Sequence, residues 1–231
     1  MSFLSLAKGD PAARDLLQRA VRARYGLRPL PLESVELEMV GQRRGWLGLP
    51  VRVHVVSRIV TDSHWRWDET WKLFGLPLHY FSTSFDSGAV YYRVGNQVEQ
   101  ASDPVAIQGA RRRLWGEACA LLTPLTMPGV VLKSLGEKSL QASPENQPDD
   151  VAEIRFNADD TVDSVRTEAY YAELRQVLPL TIRPAGGLQT LDGFTLPRQV
   201  IYEWGNQRSR ILTIVRAVAN PKIPLTEFTM G

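Results

Sequence analysis

Three polar residues that could form an acid–base site alternate along one short stretch of the chain: His64, Arg66 and Asp68. A histidine beside a carboxylate can move protons near neutral pH, and an arginine can bind an anionic part of a substrate. The alternating pattern predicts a β-strand, on which the three side chains share one face. One hypothesis is therefore a hydrolase or an isomerase that uses this neighbourhood. A solvated strand face accounts for the same pattern without catalysis.

Other motifs that carry chemistry are missing from the sequence. The three histidines, His54, His64 and His79, are not spaced so that two of them would bind one metal ion. There is no Gly-x-Ser-x-Gly elbow, phosphate-binding loop or dinucleotide fingerprint. The single cysteine, Cys119, cannot form an internal disulfide and lies in an apolar helical stripe, where it is expected to pack as a small hydrophobic residue. The sequence predicts no catalytic residue, no metal and no cofactor.

Aromatic residues mark the other face of the same strand. Tryptophans at 65, 67 and 71 alternate with the polar residues, and a later helical segment carries a wide apolar stripe. Concave ligand sites are lined mainly by such side chains. We expect one apolar cavity between a sheet and this helix, lined by Trp65, Trp67, Trp71, Trp115, Ala118 and Leu122. A filled core is the other interpretation of the same residues.

Two helices are predicted from their start signals. Asp10-Pro11 begins the first, with the Asp10 side chain accepting a hydrogen bond from a first-turn amide and proline at the first helical position. Gly26 ends this helix. Asp103-Pro104 repeats the signal and begins the second helix, which ends before Pro124.

The second helix carries a run of charge, Arg111 to Arg113. We interpret this run as a solvated helix start, with contact to an anionic head group or a phosphate as the alternative. Arg113 and Glu117 are four residues apart, a spacing that predicts an ordinary surface ion pair.

Strands occupy most of the remaining chain. Period-two alternation runs from Val35 to Gln100 and again from Val130 to Val218, with a turn or hairpin at Gln42 to Pro50. Three turn signals divide the last third into strands: Gly186-Gly187, Asp192-Gly193 and Gly205-Asn206. Short turns join successive strands, and the two helices are separated from each other in sequence. Together these features predict an α+β fold with one large curved antiparallel sheet. Such a sheet either leaves one face wet or curls into a partial barrel around the helices.

Length and composition fit one ordinary globular domain, residues 1–231. The chain has 231 residues, 44% of them hydrophobic and 23% charged, and a formal net charge of +2. This composition excludes disordered, collagen-like and coiled-coil classes, and the small net charge indicates no nucleic-acid partner. The longest charge-free run, residues 118–132, is shorter than the ~20 residues that a membrane span needs. The N-terminal residues do not resemble a secretory signal, which predicts a cytoplasmic protein, or an extracytoplasmic one if a signal has been removed.

The order and spacing of these elements resemble a known family. The features that carry the resemblance are the N-terminal amphipathic helix, the long meander, the helix entered through Asp103-Pro104, the hairpin from Phe156 to Val162, and the ending Val218 to Pro224 with Phe228. Together they look like the LolA/LppX-like lipoprotein-carrier superfamily. The resemblance implies an unclosed antiparallel half-barrel whose concave face, covered by helices, holds acyl chains or other lipids.

Three functions follow as hypotheses. The first is a non-catalytic binding or carrier protein for a hydrophobic small molecule or lipid, with transient contact to a membrane surface. The second is the enzyme that uses the neighbourhood of His64. The third is a protein-interaction module that uses an exposed sheet edge or aromatic patch.

Overall fold

Two helices and fourteen strands make up the regular structure of the described residues. The computed structural model describes residues 6–44, 48–207 and 209–230. The helices are α1 (Pro11–Tyr25) and α2 (Pro104–Leu121), with short 3-10 helices at Thr123–Thr126 and Leu225–Glu227. The strands are β1 (Lys8–Gly9), β2 (Ser34–Arg44), β3 (Pro50–Val60), β4 (His64–Leu73), β5 (Leu76–Phe85), β6 (Val90–Val94), β7 (Gln97–Ala101), β8 (Val130–Gly136), β9 (Ser139–Pro144), β10 (Ala152–Phe156), β11 (Val162–Tyr171), β12 (Gln176–Leu191), β13 (Phe194–Trp204) and β14 (Arg210–Ala219).

All these strands lie in one sheet. Its order is β1-β8-β9-β10-β11-β12-β13-β14-β2-β3-β4-β5-β6-β7, so the late run of strands joins the early run through the antiparallel pair β14–β2, where Ile214 lies opposite Met39. Neighbouring strands are antiparallel except for the short parallel pair β1–β8. The outermost strands, β1 and β7, do not pair with each other in the described part of the chain. The prediction of an α+β fold with an unclosed, curved antiparallel sheet is confirmed.

Both helices pack on the inner face of the curved sheet. Helix α2 lies mainly against β11 and β12. It approaches them closely at Gly109 and Gly116: a Cβ atom at Gly109 would lie 2.9 Å from the Tyr170 backbone nitrogen, and one at Gly116 would lie 2.9 Å from a Thr167 methyl carbon. Helix α1 packs beside the end of α2, where the Tyr25 hydroxyl donates a hydrogen bond to the Leu121 carbonyl oxygen at 2.6 Å.

The aspartates at the starts of the two helices make different hydrogen bonds. Asp103 caps α2 as predicted, since its Oδ1 accepts a hydrogen bond from the Ala106 amide at 2.9 Å. The capping bond predicted for Asp10 is wrong, although α1 does begin at Pro11 and Gly26 follows its end. The Asp10 carboxylate accepts a hydrogen bond from the Ser134 amide instead, at 2.8 Å. It therefore ties the start of α1 to β8, a partner more than a hundred residues away that local sequence does not reveal.

The glycine pair Gly186-Gly187 does not separate two strands. β12 continues through it to Leu191, and the pairing with β13 shifts register between Ala185 and Leu188. Both glycines have positive φ, 73° and 74°, which is the geometry of a bulge rather than of a chain reversal. The turn predicted at Gln42 to Pro50 is shorter than expected because β2 extends to Arg44 and β3 begins at Pro50; residues 45–47 lie outside the described residues.

None of the described helices is both long enough and apolar enough to cross a membrane.

Candidate functional site

The acid–base residues suggested by the sequence lie on the outer face of β4. Arg66 donates hydrogen bonds from Nε to both Asp68 carboxylate oxygens, at 2.8 and 3.0 Å. Arg58 on β3 adds a third bond, from Nη1 to Oδ2 at 2.9 Å. His64 packs instead against the Phe228 ring, with the ring centroids 5.0 Å apart. The structure therefore brings Arg66 and Asp68 together but leaves the imidazole in an apolar contact with the C-terminal segment.

The Asp68 carboxylate has its hydrogen-bonding capacity filled. Tyr80 and Ser82 on β5 also donate to its Oδ1, at 2.8 and 2.6 Å. Burial raises the pKa of Asp68, but the hydrogen bonds from Arg66, Ser82 and Tyr80 outweigh it and hold this pKa below its ordinary value. A carboxylate kept ionised by a full set of partners is suited to holding strands together, and it is a poor proton acceptor.

On the inner face of β4, two tryptophans surround an arginine of α2. The Arg113 guanidinium carbon lies 3.8 Å from the ring centroid of Trp65 and 5.0 Å from that of Trp67. Trp204 on β13 forms a third side, at 5.2 Å. These three distances are all within the range of cation–π attraction.

The six residues predicted to bind a ligand differ in their neighbours and in their burial. Trp65 and Trp67 meet α2 through Arg113, whereas Trp115 points to the other side of that helix, where its Nε1 donates to the Ala142 carbonyl oxygen at 3.1 Å. Ala118 and Leu122 are completely buried, and Trp71 is partly exposed. As ligand-binding residues, all six stay a prediction.

Arg113 and Glu117 are an ion pair of the core rather than of the surface, so the surface pair predicted from their spacing is wrong. Both side chains are buried, and Arg113 Nε lies 4.0 Å from Glu117 Oε1. The other carboxylate oxygen accepts a hydrogen bond from the Tyr202 hydroxyl at 2.9 Å. Burial lowers the pKa of Arg113 to about 10 and raises the pKa of Glu117, and the pair's mutual attraction opposes both effects.

A second buried charge, Glu69, went unnoticed in the sequence. It is only 2% exposed and accepts hydrogen bonds from the indole nitrogens of Trp67 and Trp71, at 3.1 and 2.6 Å. Arg210 on β14 donates to the same carboxylate at 2.6 Å and also pairs with Glu173. Glu69 lies at an odd position of β4, as do the tryptophans, so the alternation that assigned them to the inner face also assigned this carboxylate there.

A cleft opens where the two arms of the curved sheet approach each other. One wall comes from β4 to β7 and the other from the β11–β12 turn, and four strands separate β12 from β4 in the sheet order. We call it the aromatic cleft; its volume is about 340 Å³, and its lining includes Trp71, His79, Phe81, Tyr92 and Val94. An ion pair between Glu99 and Arg175 bridges its two walls at the surface.

A second, more polar cleft lies beside it. We call it the arginine cleft; it has a volume of about 440 Å³, and Arg43, Arg44, Glu69, Glu173 and Arg210 contribute to its lining. A narrow gap of about 20 Å³ lined by Trp67, Arg113 and Arg210, among others, leads inward. Glu173 lines all three spaces, so the two clefts and the gap adjoin one another around this residue.

The run Arg111 to Arg113 is not a free cationic patch. Arg111 and Arg112 both pair with the fully buried carboxylate of Asp150, and Arg112 also reaches Glu168 at 3.1 Å. Cys119 on the same helix is buried, and burial raises the pKa of its thiol well above the ordinary value. Within residues 6–44, 48–207 and 209–230, no group of three or more His, Cys, Asp or Glu side chains is arranged to hold a metal ion.

Comparison with solved structures shows where this architecture occurs. The chain is similar to a LolA superfamily protein from Nitrosomonas europaea, with a TM-score of 0.50 and 10% sequence identity over 94% of this chain and 97% of that one. It is also similar to a DUF1329 family protein from Desulfovibrio piger, with a TM-score of 0.51 and 8% identity over 99% and 98% of the two chains. No family model and no curated protein matches the sequence. The open sheet with its two inner helices is therefore a LolA-like fold, as the resemblance of the sequence implied.

Proposed function

We propose that this protein binds or carries a hydrophobic ligand, a lipid or an acyl chain, without catalysing a reaction. The observation that carries the proposal is the aromatic cleft, an open space of about 340 Å³ between the two arms of the sheet. The aromatic and aliphatic half of its lining suits an apolar chain, since each methylene removed from water contributes roughly 0.8 kcal/mol. The other half of the lining is polar: His79, Gln97, Glu99, Glu173 and Arg175. The LolA superfamily neighbour has the same fold.

The enzyme hypothesis is less well supported by the geometry. Arg66 and Asp68 lie on the outer face, bonded to each other and to neighbouring strands, and His64 contacts Phe228. A catalytic site needs an accessible space in which such groups converge on a substrate. The clefts lie on the opposite face of the sheet.

The test measures binding of a neutral fluorescent acyl probe, the methyl ester of a pyrene-labelled fatty acid, by anisotropy. Val94 lines the aromatic cleft, whereas Val98 on the adjacent strand points to the outer face, and both are substantially exposed. Val94→Glu would force a charge to lose water when the probe enters, so we expect binding to weaken by about tenfold or more. Val98→Glu is the matched control and is expected to bind as the wild type does.

A wild-type protein that does not bind the probe, and that releases no lipid on solvent extraction followed by mass spectrometry, would contradict the proposal. Ala118→Trp, with its fold checked by circular dichroism, tests the predicted interior site. Probe binding lost in Ala118→Trp but kept in Val94→Glu would place the ligand between α2 and the sheet instead of in the aromatic cleft.

We propose further that the turn between β4 and β5 makes transient contact with an anionic membrane surface. Phe74 and Leu76 at this turn are 86% and 70% exposed, and Leu78 follows them. Arg52 and Lys72 lie opposite each other on the neighbouring strands, and neither forms an ion pair with another described residue. Exposed apolar side chains beside unpaired cations match the apolar interior and negative surface of such a membrane.

Vesicle co-sedimentation tests this contact. We expect the wild type to bind vesicles containing anionic phospholipid and the double variant Phe74→Ser/Leu76→Ser to lose this binding. The matched control, Leu27→Ser/Val105→Ser, removes two apolar side chains that are similarly exposed elsewhere, on the loop after α1 and at the start of α2. Equal sedimentation of the two double variants, or no binding by the wild type, would contradict the proposed membrane contact. A protein partner would then be the alternative occupant of this turn.

A further inference from the structure

We propose that the ligand is an amphiphile with one anionic group, whose chain enters the aromatic cleft and whose anionic end binds in the arginine cleft. This inference rests on the proposed function and narrows it from any hydrophobic ligand to an anionic one. Carboxylate and phosphate share the required chemistry.

Besides Glu173, a contact between an arginine and a tryptophan joins the two clefts. The Arg43 guanidinium carbon lies 3.8 Å from the ring centroid of Trp71. Trp71 lines the aromatic cleft and Arg43 lines the arginine cleft. The hydrogen bond from Trp71 Nε1 to Glu69, 2.6 Å long, holds the indole in place. A chain lying against Trp71 would therefore have its end close to the guanidinium.

The charges of the arginine cleft leave room for one anion. Arg210 pairs with both carboxylates of the cleft, Glu69 and Glu173. Arg43 and Arg44 are exposed and make no ion pair with any residue in the described part of the chain. Three arginines and two carboxylates leave one excess positive charge, which a single carboxylate or phosphate monoanion would balance.

The physical chemistry of arginine favours an anion at this place over a neutral group. A guanidinium stacked on an indole keeps its N–H donors in the plane of the fork, free to bind two oxygens of one acid group. Covering the same guanidinium with an ester or an alkyl group would remove water from it without replacing the lost hydrogen bonds. The arginine cleft should therefore discriminate between an acid and its ester of equal chain length.

The experiment compares three probes with one chain: a pyrene-labelled fatty acid, its methyl ester and the corresponding alkyl methyl phosphate, a diester that carries one negative charge. We expect wild-type protein to bind the acid or the phosphate about tenfold or more tightly than the ester, the size expected for one hydrogen-bonded charge. Arg43→Gln/Arg44→Gln should lose this preference and still bind the ester. The control Arg28→Gln/Arg198→Gln removes the same charge from two exposed positions that line neither cleft and should keep the preference.

The outcomes separate this inference from the proposed function. Binding of all three probes with equal affinity overturns the anionic site and leaves the hydrophobic-ligand proposal intact. Loss of preference in both double variants also overturns it, because the effect would then come from net charge. If no probe binds, the proposed function itself fails. A tighter complex with the phosphate identifies a phosphate ester as the class of ligand, and one with the fatty acid identifies a carboxylate.

Discussion

Arg113 and Glu117 place opposite charges inside the core, with the guanidinium held among tryptophan rings. Removing one partner of a buried pair leaves the other charge without compensation, which is costly in an apolar interior. We expect Glu117→Gln to lower the free energy of unfolding by about 3 kcal/mol, measured by urea denaturation. The double variant Arg113→Met/Glu117→Gln should recover part of this loss. A double variant less stable than Glu117→Gln would show that Arg113 stabilises the fold without its carboxylate partner.

The lowered pKa of the single residue Asp68 predicts that the stability of the folded protein depends on pH. Its pKa in the folded protein lies below the ordinary 3.8, so the folded state favours the ionised form, and the resulting stability is present above the unfolded-state pKa. That contribution is lost as the pH falls through the folded-state pKa. Asp68→Asn should be less stable than the wild type at neutral pH and should show a shallower loss of stability below about pH 4. Parallel stability curves for the two proteins in urea titrations across this range would contradict the assignment.

Among the elements, α2 has a start that local sequence specifies and a packing contact with β11 that depends on the tertiary structure. Its Asp103 cap is local, and Asp103→Ala should cost about 1 kcal/mol, the usual loss for an N-cap side chain. Chemical denaturation measures the change, and Ser102→Ala at the exposed neighbouring position is the control. A midpoint for Asp103→Ala equal to that of the control would show that the cap contributes nothing. The close approach of α2 to β11 at Gly109 depends instead on residues far away in the chain.

At the scale of the whole molecule, the C-terminal segment closes part of the outer face. Phe228 is fully buried against His64, and its carbonyl oxygen accepts a hydrogen bond from the Ser84 hydroxyl at 2.6 Å. Glu227 adds an ion pair with Arg58 at 3.3 Å. These contacts join the last residues of the chain to strands of its first half.

Phe228→Ala should therefore lower the free energy of unfolding by about 3–5 kcal/mol, because it leaves a cavity between the segment and the sheet. Thermal and urea denaturation measure the loss. Leu225→Ala, at an exposed position of the same segment, is the control and should change stability by no more than about 0.5 kcal/mol. Similar values for the two variants would mean that the segment contributes little to the fold.

The sequence by itself determined most of the strands, the faces of β4 and the starts of the helices. It was wrong at Gly186-Gly187, where β12 continues through the predicted division. Alternation separated Trp65 and Trp67 from Arg66 and Asp68 because successive side chains of a strand point to opposite faces. Proline after aspartate marked both helix starts for an equally local reason, since the fixed φ of proline suits a first helical turn. From these elements one large curved antiparallel sheet was predictable, and the resemblance to the LolA/LppX-like superfamily implied that this sheet is unclosed.

Only the tertiary structure decided which residues pack against each face of the sheet. The partners of Glu69 and Arg113, and the meeting of β4 to β7 with the β11–β12 turn, join residues up to about 140 positions apart. Alternation assigns a side chain to a face, but it carries no information on the curvature of a fourteen-stranded sheet. That curvature brings the two arms together and sets the volumes of the clefts, because it sums small twists over many strand pairs.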